Sequence, residues 1–508
     1  MEKMTEVFQK LKKVVTEKYI SDSIYVRHAY SRNVNPVLQG VPDIVIRPKD
    51  AKEISEILKI ANEDNVPIVP RGGGCCEWGG SIVENDTGII LDMKRMNNVI
   101  NLDEDNLVVT VGAGIAWGAL NNHLSQFGLY TGCLGPGSGL TASVGGGISH
   151  HSVGAGGCAK YGACTNQLVS LEVVLPTGDI IETGSQANKF SKVPFNRFGN
   201  GPDLAGLFCG DNGIYGVKTQ VSLRVFPRPP FAAYKTFVLP RKDTEAASQI
   251  MMEIRRKGID VFDTIFIPQL VVVLGAQEGM FPLWKQLKRK RGILFYAIEA
   301  NSEIELNERV KQLDEIFLSK KTEELGPEIS DGNFAKWQYE NPWHLYHNLW
   351  GIQPACEPFT AECFTPLNTL PELVADTMAW ENECKEDMQK IADLTDNKLV
   401  MSSAGPVALI DGNNVEYTVG FNTSHSYHDG ITHEIIDELN LKLWKSLLIR
   451  TYKQGVQYYM FGTLPSRLMV EIGAYTKEYN NLLKSIKKTL DPNFILSRGK
   501  FNLKEEME

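Results

Sequence analysis

Val66-Pro-Ile-Val-Pro-Arg-Gly-Gly-Gly-Cys-Cys-Glu-Trp-Gly-Gly80 is an apolar run that ends abruptly in glycine. Ahead of it, the stretch 51–65 places Ile54, Ile57, Leu58 and Ala61 at the spacing of one helix face. Earlier still, Asp43-Ile-Val-Ile-Arg47 is an apolar run closed by Pro48. Strand, helix and strand in that order make a βαβ unit, and its second strand delivers the glycine cluster. Glycine lets main-chain N–H groups turn toward a ligand and approach it closely. Successive donors of that kind form a concavity suited to a pyrophosphate.

Two further glycine-rich segments follow. Gly135-Pro-Gly-Ser-Gly-Leu-Thr141 runs on into Val144-Gly-Gly-Gly-Ile-Ser-His150, and Gly210-Asp-Asn-Gly-Ile-Tyr-Gly216 comes later. One such loop is as consistent with turn-making as with ligand binding; three in one α/β region point to a dinucleotide. Gly112-Ala-Gly114 imitates a nicotinamide-binding loop. However, Gly118 falls one residue late, and no strand ending in Asp or Glu follows about twenty residues on.

Strands are expected at 88–92 and 107–111, a helix at 116–127, and an ordered loop without periodicity over 132–162. A hairpin follows at 168–175 and 179–183, and a strand at 215–226 stops at Pro227, Pro229 and Pro230. From Ala232 strands (234–239, 265–274, 292–300) alternate with helices (244–256, 303–317), which implies an antiparallel sheet with helices on one face. The stretch 477–490 reads as a helix that ends at Asp491-Pro-Asn493.

At 508 residues the chain is too long for one ordinary core. Hydrophobic residues are 43% and charged residues 22%, as in a globular protein. A net charge of −9 argues against a nucleic-acid partner, and the short basic run 285–291 reads as a solvated helix face. No apolar stretch is long enough to span a membrane, and the amphipathic N-terminus lacks the apolar block of a signal peptide, so a cytoplasmic protein is expected. Nine cysteines without a CxxC pair argue against a disulfide framework or a structural zinc site.

The order of Pro42-Asp-Ile-Val-Ile-Arg-Pro48, Val69-Pro-Arg-Gly-Gly-Gly74, Pro136-Gly-Ser138, Lys160-Tyr-Gly162 and Leu171-Glu-Val-Val-Leu-Pro-Thr-Gly178 resembles a known flavoprotein superfamily. Asp203-Leu-Ala-Gly-Leu-Phe208, Gly213-Ile-Tyr-Gly-Val217 and Leu490-Asp-Pro-Asn-Phe-Ile-Leu-Ser-Arg-Gly-Lys500 continue the match. The family is the FAD-linked oxidoreductases of vanillyl-alcohol oxidase and para-cresol methylhydroxylase. The resemblance implies an α+β protein. A two-subdomain α/β FAD-binding domain would span 1–230 and an antiparallel-sheet cap 231–450, with a helical C-terminal segment, 451–508, returning to the first domain.

Carried over by position, the resemblance assigns Arg71, Gly72, Gly73, Gly74, Cys75, Cys76, Glu77 and Gly80 to the FAD diphosphate. Pro136, Gly137, Leu140, Thr141, Gly145, Gly146 and Ser149 would line the same cofactor. Gly213, Ile214 and Val217 would approach its adenine or ring, and Lys500 would reach the flavin. Many relatives tether the flavin to a histidine just after the first glycine run. Here Cys75-Cys76 stands there, and Thr360-Ala-Glu-Cys-Phe-Thr-Pro366 in the cap also lacks histidine. Noncovalent FAD is therefore expected, with a link through Cys75, Cys76, Cys133 or Cys158 as the alternative.

For the substrate end, His150 and His425 are candidate bases, Arg467 a holder of carboxylate or phenolate, and Tyr459 a supporting hydroxyl. His425, His428 and His433 have a spacing that could bind a metal, but the His-x-Gly-Asp-Gly-x-x-His pattern of the D-lactate and glycolate branch is absent, so no metal is expected. The aromatic-rich stretch 337–350 could wall a pocket or form core.

The function implied is hydride removal from a small alcohol, hydroxy acid or phenol to the flavin. The alternatives are a non-redox flavoenzyme of the alkylglycerone-phosphate synthase kind and a flavin-holding electron-transfer subunit. The partners implied are a small-molecule substrate and an electron acceptor that the sequence does not name; a homodimer is open to it.

Overall fold

The computed structural model describes residues 2–33, 38–76, 78–85, 87–240, 243–268, 291–325, 334–343, 356–394, 407–411, 414–424, 430–459 and 462–503. The first sheet contains β1 (Ile20–Ser21), β2 (Ile44–Ile46), β3 (Ile68–Arg71) and β4 (Ile89–Asp92), in the order β1-β2-β4-β3. Strands β2 and β3 are the two arms of the expected βαβ unit, but β4 inserts between them, parallel to both. Their connecting helix, Ala51–Glu63, starts where the Asp50 side chain accepts from Glu53 N, which satisfies an otherwise orphaned donor. It buries Ile54, Ile57, Leu58 and Ala61 completely, each large side chain contributing roughly 1.5–3 kcal/mol.

The second sheet joins β5 (Val99–Asp103), β6 (Val108–Gly112), β8 (Leu168–Val174), β9 (Ile180–Glu182) and β10 (Val217–Arg224) in the antiparallel order β5-β6-β10-β8-β9. A two-residue strand, β7 (Leu129–Tyr130), pairs with β11 (Phe226–Pro227). The stretch 132–162 differs from the expected loop, because it holds helices Val144–His150 and Cys158–Tyr161. Glycine disfavours helix, yet Ser143 caps the first of these by accepting from Gly146 N. A Cβ on Gly145 would meet that of Ala113 at 2.7 Å, and one on Gly147 would meet Trp117 Nε1 at 2.6 Å. The helix is glycine-rich because it lies flat on those two residues.

The third sheet takes β12 (Phe231–Pro240), β13 (Asp263–Ile267), β14 (Arg291–Ala300), β15 (Glu323–Glu324), β16 (Cys356–Pro366), β17 (Val407–Leu409), β18 (Asn414–Ser424) and β19 (Gln457–Tyr458). Its order is β15-β12-β14-β13-β17-β18-β16-β19, antiparallel throughout. The strand expected at 265–274 begins two residues earlier and ends at Ile267; residues 269–274 and the basic run before Arg291 lie outside the described residues. Helices Thr244–Arg256 and Lys477–Leu490 fall where expected.

The chain then returns to the first sheet, where Ile68 N donates to Ile495 O and Ser497 N to Ile68 O, both at 2.8 Å. The return is pinned by the fully buried pair Lys487–Asp491. Lys487 Nζ also donates to Ile214 O at 2.6 Å and Leu496 O at 2.8 Å, and Asp491 accepts from Ile495 N and Leu496 N. No described helix is long and apolar enough to cross a membrane.

Candidate functional site

The three glycine-rich segments converge on one cleft. Strand β3 delivers the first segment to its wall, the capped helix Val144–His150 the second, and the turn before β10 the third. Of the residues singled out in the sequence, Gly72, Gly73, Gly74, Cys75, Cys76, Gly80, Pro136, Gly145, Gly146, Ser149, His150, Gly213 and Val217 line it. Asn212 and Lys218 line it as well.

The first two loops pack back to back. A Cβ on Gly73 would overlap Thr141 O and stand 2.7 Å from Thr141 C and 2.9 Å from Ala142 Cα. Gly74 holds φ +73°, where a side chain is strained. No hydrogen bond among the described residues uses the main-chain N–H of Gly72, Gly73, Gly74 or Cys75. His150 Nδ1 and both polar side-chain atoms of Asn212 are likewise buried with no hydrogen-bond partner among the described residues. Buried polar atoms are normally satisfied, so this cavity is shaped and functionalised for a guest that accepts from successive amides. An FAD diphosphate fits that donor set. The imitation loop does not, because the Gly112 and Gly114 amides are already donated to Asn98 O and Met96 O at 2.9 Å.

Several expected contributors stand elsewhere. Lys500 does not line this cavity: its buried ammonium donates to Gly80 O and Asn212 O at 2.8 Å, tying the first and third loops together. Burial pulls it down to about 8. Ile214 is in the core, with its carbonyl held by Lys487, and Leu140 is 41% exposed. Gly137 stands opposite Gly154, and Thr141 Oγ1 meets Cys75 Sγ at 3.0 Å. Arg71 braces the loop from behind, donating to Ser81 O and Arg32 O at 3.0 Å. Glu77 lies outside the described residues. Cys133 and Cys158 face each other at 3.6 Å in the core.

At the substrate end, burial and then the charges of Lys500 and Lys218 hold His150 down at about 3. It is neutral at any working pH and a poor proton acceptor. His151 is turned away, its Nδ1 on Thr165 Oγ1 and its ring edge-on to Phe364. Arg467 is already engaged, donating Nε to Gly499 O at 2.9 Å and pairing with Glu84; that corrects its expected role as a free substrate clamp. His425 and His428 lie outside the described residues, as does the His433 side chain, and no cluster of metal-ligating side chains occurs among those described. Of the aromatic stretch, Tyr339 is core and Trp343 donates Nε1 to Leu134 O at 3.1 Å; the part from 344 on lies outside the described residues.

Sequence reasoning missed a carboxylate pair. In the β16–β18 register, Glu362 is opposite Thr418 and Phe364 opposite Glu416, so these four share one sheet face. Both carboxylates are buried. Tyr459 OH donates to Glu362, and Thr418 Oγ1 donates to Glu416 at 3.0 Å. This face carries Phe364 to His151, so it is turned to the glycine-rich half. Burial, then the charge of Glu362, holds Glu416 well above the carboxylate range. The signal was an acidic residue on the inward alternation of an otherwise apolar and hydroxylated strand.

A family model described as FAD binding domain matches residues 42–184, and one described as FAD linked oxidases, C-terminal domain matches residues 232–391. Glycolate oxidase subunit GlcD of Bacillus subtilis is 34% identical over 49% of this chain and 50% of its own. The mitochondrial cytochrome-type D-lactate dehydrogenase of Arabidopsis thaliana is 34% identical over 45% of this chain and 38% of its own. D-lactate dehydrogenase of Archaeoglobus fulgidus is 34% identical over 42% and 45%. The match thus spans half or less of the length of these curated relatives. Among solved structures, 4-ethylphenol oxidase from Gulosibacter chungangensis superposes with TM-score 0.82 over 99% of this chain and 98% of its own, at 17% identity. p-Cresol methylhydroxylase superposes with TM-score 0.80 over the same shares, at 16% identity. Those two likenesses concern the fold.

Proposed function

This chain belongs to the FAD-linked oxidase superfamily of para-cresol methylhydroxylase, and from that membership we propose that it is an FAD-dependent oxidoreductase removing a hydride from a small alcohol, hydroxy acid or phenol. The observation that carries the proposal is the set of unspent amides at Gly72–Cys75 in one cavity with the unpartnered His150 and Asn212 side chains. The glycolate and D-lactate names of the sequence relatives support a hydroxylated substrate.

Bound FAD supplies the hydride acceptor. The amides of Gly72–Cys75 would hold its diphosphate, with Asn212 and His150 hydrogen-bonding as neutral groups. Lys218, paired with Asp211 at 2.6 Å, stands close enough for its charge to disfavour protonation of His150. On the cap face, Tyr459 would pass its hydroxyl proton to Glu362, to which it is hydrogen-bonded, and take the substrate's hydroxyl proton in exchange, beside the buried Glu416 carboxyl. The cap shields this exchange from water. The FAD is held noncovalently, since cysteines stand where relatives carry a tether.

Anaerobic mixing of the FAD-loaded protein with a panel of glycolate, D-lactate, aliphatic alcohols and phenols tests the reading. At least one member is expected to bleach the yellow absorbance; no bleaching by any class contradicts it. Acid precipitation should leave the colour in the supernatant.

A further inference from the structure

Segment 188–204, which contributes no residue to the wall of the cavity, holds three phenylalanines out in solvent. Phe190 is 79% exposed, Phe195 65% and Phe198 57%, with Leu204 at 53%. Single exposed apolar side chains are ordinary, but four within fifteen positions mark an interaction site. The segment is an ordered, necked loop. Ser185 N donates to Asn196 O at 2.8 Å, and Ser185 Oγ accepts from Phe195 N at 3.0 Å, closing the neck. Within the loop, Ser191 N donates to Asn188 O at 2.8 Å and Phe190 N to Asn188 Oδ1 at 3.1 Å. Arg197 holds the return limb through Asp203 at 2.8 Å.

The charge on this loop is opposite to that of the chain. Lys189 and Lys192 make no ion pair among the described residues, and the Arg197–Asp203 pair cancels. The loop thus presents two cations outside any ion pair among the described residues, Lys189 lying over the Phe190 ring at 5.2 Å, in a chain of net charge −9. Aromatic rings flanked by lysines suit the interfacial layer of a bilayer, the rings among acyl ends and the ammonium groups on headgroups. A two-fold contact centred on this loop would instead bring these lysines close to their own equivalents.

We infer that the loop 188–204 docks the protein peripherally on an anionic phospholipid surface. This is a contact without a span, in keeping with the absence of a membrane-crossing helix among the described residues. The inference stands apart from the reading of the cavity.

The test is co-sedimentation of the full-length, FAD-loaded protein with vesicles of phosphatidylcholine alone or mixed with phosphatidylglycerol. Binding to the mixed vesicles is expected to be about thirtyfold stronger, the effect of two lysines near a charged leaflet, and to weaken with salt. The variant F190S/F195S/F198S should drop to background, and K189Q/K192Q should remove the preference for the anionic lipid, both with unchanged FAD content and melting temperature. Three outcomes overturn the inference: no sedimentation with either vesicle, equal binding to both, or wild-type binding by the triple phenylalanine variant. So does a wild-type dimer, by light scattering, that the triple variant splits into monomers.

Discussion

Gly73→Ala perturbs the cavity wall without touching any group that does chemistry. The added methyl would sit 2.7 Å from Thr141 C and 2.9 Å from Ala142 Cα, both backbone atoms. Ordinary carbon contacts need about 3.5–4.0 Å, so the 71–76 and 138–143 turns must part by about 1 Å. A displacement of that size takes an N–H···O bond of about 2.9 Å past the range in which it holds. Bonds to a charged acceptor are worth about 1.5–3 kcal/mol each; losing two weakens FAD by about 3–6 kcal/mol, or 10²–10⁴-fold in Kd. The assay is titration of the apo-protein with FAD, followed by quenching of the flavin's fluorescence. Overpacking alone costs about 1–3 kcal/mol of stability, so the melting temperature of the apo variant is measured alongside. A folded G73A that binds FAD within about threefold of wild type refutes the reasoning, because the loop would then have room that its packing against Thr141 and Ala142 denies it.

Three other outcomes follow from the same geometry. E416Q replaces a carboxyl whose neutral form burial favours and should keep stability and turnover near wild type at neutral pH. E362Q removes the acceptor of the Tyr459 proton and should lower kcat about 10²-fold or more, read by steady-state kinetics on whichever substrate bleaches the flavin; equal effects from the two variants contradict the assignment. His150 and His151 are held at about 3 and about 4, below their usual 6.5. The unfolded chain therefore binds the extra protons first, so stability is complete above about pH 6.5 and drains away as pH falls toward 3–4. Denaturant midpoints across pH 4–7 should show a shallower acid loss in H150Q than in wild type, and an unchanged slope contradicts the burial argument. D491A strands a buried Lys487 ammonium and should cost about 3–5 kcal/mol in denaturant melts; a loss under about 1 kcal/mol would mean that the C-terminal return is not pinned there.

The sequence reads well wherever local chemistry determines structure. The helix periodicity of Ile54, Ile57, Leu58 and Ala61 and the glycine run after β3 are local signals, and the structure has the helix and the cavity wall there; the strand expected to stop at Pro227 ends at Arg224, and Pro227 pairs with Leu129 in β11. What depends on non-local pairing was hidden. Strand β4 enters between β2 and β3 with nothing in its own residues to say so, and the helix Val144–His150 exists because Ala113 and Trp117 press on its glycines. Lys500 shows the same limit: its position in the C-terminal motif is legible, but only the fold turns its ammonium onto Gly80 and Asn212. Arg467 reads as a substrate clamp until the chain brings Glu84 to it. Glu362 and Glu416 are 54 positions apart and become a pair only through the β16–β18 register.

Amide hydrogen exchange, followed in the peptides that cover 70–80, 136–146 and 210–218, reports most directly on whether the three glycine loops grip one dinucleotide. One equivalent of FAD is predicted to slow exchange in all three together, most strongly at Gly72–Cys75, whose amides have no partner among the described residues. Slowing confined to a single loop, or none in the 70–80 peptide while FAD is demonstrably bound, would contradict the account.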